Sequence, residues 1–147
     1  MRLIFQMKIT IILSVVLLGL SGCFSANSAV TDQSADLRGY RRIYVQSSQN
    51  DSNHVDQMLA NELVRLGYDA SAGVRTMMPD NAQIYMTYQT QWNWDFRTYL
   101  IQLDFSVRDV RTEKQLGNGL AFHSGVTSKS PEKMVAEALK PMFGPKK

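Results

Sequence analysis

The chain has 147 residues, a net charge of +3 and 44% hydrophobic residues, which suits one hydrophobic core rather than several. A single cysteine excludes an internal disulfide framework. The 16 basic residues face 13 acidic ones without forming the stripe of a nucleic-acid binder, because Arg41-Arg42 and Lys146-Lys147 are only short local groups.

The N-terminus carries Arg2 and Lys8 and no acid, then an apolar run from Ile9 to Leu20 closed by small residues. That is the layout of a secretory signal peptide. A spanning helix takes roughly 20 apolar residues; this run is shorter, so a cleaved segment is expected instead. The run ends in Leu20-Ser21-Gly22-Cys23: an aliphatic residue, a small one, Gly, then Cys. These positions resemble the lipobox of bacterial lipoproteins. The resemblance implies that residues 1–22 are a lipoprotein signal peptide, that cleavage falls before Cys23, and that Cys23 carries a diacylglyceryl thioether and becomes the acylated first residue. The membrane then holds the protein through that lipid. Phe24 follows where Asp would retain such a protein in the inner membrane, so the resemblance implies the outer membrane and a domain facing the periplasm. Cleavage also removes Arg2 and Lys8, leaving a net charge near +1.

Residues 23–39 are expected to be the acylated cysteine and a flexible tether, because the small polar stretch 24–38 offers little apolar surface to offset its ordering entropy. A single domain over 40–144 follows. A first strand spans Arg41 to Gln46, β-branched and aromatic. Asn53 or Asp51 can cap the helix after it. In that helix Val55, Met58, Leu59, Leu63 and Leu66 share a face, and Asp56, Gln57, Asn61 and Arg65 belong to the others. Gly67 sits where a left-handed cap is wanted. Tyr68-Asp69-Ala70 opens a short strand, and 71–81 is a loop.

Two alternating runs follow. Ile84, Met86, Tyr88, Thr90 and Trp92 form one face of the first; Tyr99, Ile101, Leu103, Phe105 and Val107 form one face of the second. The short connection between them makes an antiparallel hairpin. A last strand, Leu116 to Ser124, carries Leu120 and Phe122, and Gly117 and Gly119 inside it suggest a bulge or a close backbone approach. Ser130-Pro131-Glu132 starts a second helix with the stripe Met134, Val135, Ala138 and Leu139, which Pro141 and Gly144 close. The order β-α-β-β-β-β-α predicts an α+β two-layer sandwich: a mixed, mainly antiparallel sheet of about four or five strands with two helices on one face.

Little in the chain points to catalysis. His54 and His123 lie far apart in sequence, so no metal site is expected. No serine sits in a Gly-x-Ser-x-Gly elbow and no phosphate loop is present. Asp104 and Asp109 fall on opposite faces of one strand by parity. No enzyme and no cofactor is expected. The unusual segment is the hairpin tip, with Trp92, Trp94, Asp95, Phe96, Arg97 and Tyr99 close together. Aromatics with arginine are typical of interface anchors, and stacked rings also suit sugars. Alternatively, Trp92 and Trp94, on one side by parity, extend the core while Asp95 pairs with Arg97.

Trp94-Asp95 and Tyr99-Leu100, followed by Asp109, resemble a segment of uncharacterised small lipoproteins of Gram-negative envelopes. In outline, residues 40–143 resemble the small α/β domains of envelope accessory lipoproteins, including the curli-secretion and penicillin-binding-protein-activator types. That resemblance implies no catalytic residues. The expected function is a lipid-anchored, non-enzymatic envelope lipoprotein that binds a protein partner of an envelope complex. The alternative is a glycan- or lipid-binding module using the aromatic hairpin 92–99.

Overall fold

A computed structural model of the chain describes residues 25–31, 37–123 and 129–145. Its strands are β1 (Ser25–Thr31), β2 (Arg42–Gln46), β3 (Asp69–Gly73), β4 (Ile84–Trp94), β5 (Thr98–Asp109) and β6 (Gln115–His123); its helices are α1 (Val55–Arg65) and α2 (Pro131–Phe143). The strands form one six-stranded sheet in the order β1-β6-β5-β4-β2-β3. β2 runs parallel to β3 and to β4, and the remaining pairs are antiparallel. The expected mixed sheet and two helices are present.

β1 lies inside the stretch read as a tether. It pairs with β6 from Ser25↔His123 to Thr31↔Gly117. Composition misses such a strand because ladder hydrogen bonds come from the backbone, and an open neighbouring edge accepts small polar residues as well as large ones. Leu37 is buried in the core, so the domain also takes in residues before position 40.

Register decides which residues meet the helices. Ile43 faces Ile84, Val45 faces Met86, Met86 faces Val107, and Tyr88 faces Phe105. These side chains are buried with Val55, Leu59 and Leu63 of α1 and with Met134, Val135, Ala138 and Leu139 of α2. Each large apolar side chain so buried contributes about 1.5–3 kcal/mol.

The last strand turns the other way from expectation. Gly117, Gly119, Ala121 and His123 are buried, while Leu120 and Phe122 alternate with them and are only half-buried. The reason is Phe105. It pairs with Gly119 across the ladder, and a Cβ on Gly119 would lie 2.3 Å from its ring. The glycine is the space the ring occupies.

The helix termini also differ in detail. His54 holds the residue before α1 in a left-handed conformation, φ 56°, and its side chain makes no cap. Asp51, one of the two expected caps, supplies it, accepting from Val55 N–H at 2.6 Å and Asp56 N–H at 3.3 Å. Asp56 is not on an outward face: it is 8% exposed and accepts from Ser47 Oγ at 2.5 Å. Gly67 adopts the left-handed conformation expected of it, φ 96°. α2 continues through Pro141 to Phe143 rather than stopping at the proline.

Candidate functional site

The site is built by the length of two strands. β4 and β5 pair from Ile84↔Asp109 to Trp94↔Thr98. β2 accompanies β4 only over Ile84–Met86, and β6 accompanies β5 only from Arg108 to Gln102. Among the described residues, Trp92 to Trp94 and Thr98 to Leu100 pair only with each other. They form an arm that leaves the sheet.

A bulge marks where the arm begins. Gln91 pairs with Gln102, but Trp92 pairs with Leu100, so Ile101 is an extra residue on β5. The insertion reverses the alternation beyond it. Leu100 is buried and Ile101 only half-buried, contrary to the alternation read from sequence, which put Tyr99 and Ile101 on the face of Leu103.

The two tryptophans share a side by parity but not an environment. Trp92 packs partly buried against the core. Trp94 is 70% exposed and Phe96 94% exposed. Their rings lie 6.2 Å apart at 37°. The reading in which both tryptophans extend the core therefore fails at Trp94. Asp95 donates its backbone N–H to the Arg97 carbonyl at 3.1 Å, which closes the turn, and Phe96 sits at φ 58°. Asn93 Oδ1 accepts from Trp94 N–H at 2.8 Å. Tyr99 is half-buried. Cys23 and the signal segment lie outside the described residues.

Behind the arm, sequence reading missed a polar junction. Asp51 accepts from the Tyr88 hydroxyl at 2.5 Å, beside the capping bonds to α1. Burial pushes the Asp51 carboxyl up, but the Tyr88 hydroxyl and the N–H groups of Asn53, Asp56 and Val55 outweigh this and hold it below the usual range. Burial, then the bond to Asp51, pushes the Tyr88 hydroxyl well above its ordinary value. The sequence signals were Asp51 as a candidate cap and Tyr88 on a core-facing position, where a hydroxyl needs a partner; nothing along the chain joins the two.

Three other features complete the surface. On the open sheet face the Arg75 guanidinium lies 4.5 Å over the Tyr85 ring and 2.8 Å from Glu113 Oε1, while the Tyr85 hydroxyl donates to Glu113 Oε2. That bond first, then Arg75, holds the Glu113 carboxyl low. A groove of about 680 Å³ lies where α1 and α2 end, floored by Leu66, Tyr68 and Phe143 with Arg38, Lys133 and Lys140 at its rim. His123 is 2% exposed and meets Glu137 at 3.2 Å, whereas His54 is exposed. Among the described residues no group of three or more His, Cys, Asp and Glu side chains converges to hold a metal ion. No described helix is long and apolar enough to cross a membrane.

No protein-family model and no curated protein matches the sequence. Solved structures match the fold. A PelC dodecamer from Paraburkholderia phytofirmans is similar with a TM-score of 0.64 at 14% identity, over 83% of this chain and 100% of that one. A second PelC dodecamer from that organism, carrying the substitution L103M in its own numbering, gives 0.61 at 15% identity, over 84% and 100%. A DUF4136 family protein from Bacteroides thetaiotaomicron gives 0.50 at 8% identity, over 81% and 94%. At these identities the likeness is one of fold: the chain has the α+β architecture that PelC and a DUF4136 protein share.

Proposed function

We propose that the chain is a lipid-anchored envelope protein, non-enzymatic, that serves as an accessory binding domain and makes contact through the tip of the β4–β5 arm. The observation that carries this is the pair Trp94 and Phe96, 70% and 94% exposed at the end of an arm that leaves the sheet. Large aromatic side chains held in water contribute nothing to the core, and they are the residues that most often anchor interfaces. The sequence Leu20-Ser21-Gly22-Cys23 supports the lipid anchor, and Phe24 after it supports the outer membrane, with the domain in the periplasm. The PelC structures are dodecamers, which supports a domain that works by assembling with other chains.

The test is metabolic labelling with an alkyne fatty acid, followed by crosslinking in cells and mass spectrometry. Label should sit on Cys23 and vanish in Cys23→Ala. A crosslinked envelope protein should be weakened in Trp94→Ala and Phe96→Ala, since the arm sets how the anchored domain meets it. A label that survives Cys23→Ala would remove the anchor; crosslinks unchanged in both arm variants would remove the arm as the contact.

A second reading is a glycan- or lipid-binding module on the same arm, favoured by the exposed polar residues Gln91 and Asn93 that alternate with the tryptophans along β4. Tryptophan fluorescence that shifts on titration with peptidoglycan fragments would favour the glycan.

A further inference from the structure

The cost and the direction of the arm tip together identify what it touches. Phe96 adopts φ 58°, a left-handed conformation that costs a residue with a Cβ free energy and that glycine or asparagine takes more readily. Its ring is 94% exposed, so no burial within the domain offsets that cost. Within the domain only the turn closed by Asp95 and Arg97 and the contact with the Trp94 ring hold it there, and strain kept at so exposed a ring points to a contact outside the chain.

The direction comes from strand register. Ser25 pairs with His123. His123 directly follows Phe122, which pairs with Gln102. Ser25 is therefore level with the base of the arm. Because β1 is antiparallel to β6, it begins, at Ser25, at the end of the sheet toward which the arm points. Trp94 and Thr98 lie about three residues beyond that level, roughly 10 Å at the rise of a strand. Cys23 precedes Ser25 by two residues and so lies within about 7 Å of it by chain length. The tip and the start of β1 lie at the same end of the sheet, and the two residues from Cys23 to Ser25 span too little chain for a lipid on Cys23 to let the domain turn its other end to the bilayer.

We infer that the arm tip is a membrane wedge: the rings of Trp94 and Phe96 enter the interface of the bilayer that holds the lipid on Cys23. This rests on the lipid-anchored reading above. The chemistry suits the place, since an indole ring favours the headgroup boundary, with its apolar body inward and its N–H wet. The convex tip inserts where a groove would receive. A second point of attachment fixes the tilt of the domain, which lipid chains alone do not.

The experiment uses the full-length lipidated protein in vesicles of phosphatidylethanolamine and phosphatidylglycerol doped with phosphatidylcholine brominated at shallow or deep acyl positions. Trp92→Phe leaves Trp94 as the reporter. Its emission should move to shorter wavelength and be quenched more by shallow than by deep bromines. Phe96→Asp should cut that quenching by more than half while the protein still floats with the vesicles through Cys23. Should Trp92→Phe unfold the domain, Trp94→Phe serves instead and should abolish the shallow-quenched part of the emission. Flotation without quenching of Trp94 would overturn the wedge and leave the anchor standing. An emission shift that follows protein concentration and ignores bromine would overturn it in favour of contact between copies. Failure to float at all would overturn the anchor and the wedge together.

Discussion

The Tyr88 hydroxyl of β4 donates a 2.5 Å hydrogen bond to the Asp51 carboxylate, which also accepts the Val55 N–H at the start of α1. One side chain thus joins the central sheet to the first turn of a helix. Tyr88→Phe should destabilise the domain by about 2 kcal/mol, the range for a hydrogen bond to a charged group. Urea denaturation at neutral pH measures it.

The same pair sets the pH limits. The folded Asp51 pKa lies below its ordinary value of 3.8. Its contribution is present above that value and is lost as pH falls through the folded pKa. Asp51→Asn should therefore flatten the fall in stability below about pH 4. The Tyr88 pKa is raised, so its contribution is whole below about pH 10 and declines above it. Tyr88→Phe should flatten that alkaline fall. Urea midpoints across pH check both.

Gly119→Ala should destabilise by about 2–3 kcal/mol, since the new methyl group meets the Phe105 ring and the core must shift. Adding Phe105→Leu should recover part of the loss, because the two sites share one space. A thermal melt of the single and double variants decides it.

Phe96→Asn should raise stability by up to about 1 kcal/mol, since asparagine tolerates the left-handed conformation and the exposed ring contributes no burial. The variant should at the same time lose the contact made by the arm. A lower melting temperature for the isolated variant would mean that the ring is repaid within the domain.

His123→Ala should destabilise by about 2 kcal/mol through the lost packing and the lost contact with Glu137. Glu137 keeps Lys129, which reaches both of its oxygens at 2.8 and 2.7 Å. The denaturation midpoint should fall without any change in the helical signal of the folded state.

Period and punctuation fixed much of the fold in advance. Val55, Leu59 and Leu63 at helical spacing, Gly67 after them, and the set Ile84, Met86 and Tyr88 are local patterns, each buried or turned as the pattern requires, whereas Tyr85, on the other face, is buried too. Alternation also placed Trp92 and Trp94 on one side of their strand. Local chemistry says less about what lies above that side. Among the described residues β2 and β6 do not pair along the arm, and Trp92 finds core to pack on while Trp94 finds water. The bulge at Ile101, the burial of Asp56 and the pairing of β1 are equally invisible along the chain, and Gly119 signals a close approach without naming Phe105. Each depends on a residue distant in sequence. By itself the sequence determined both helices and the strands other than β1, and suggested where a lipid is attached, because side-chain period and short motifs are properties of neighbours. Only the tertiary structure decided which aromatic rings are left outside, because burial is set by where the adjoining strands and helices end.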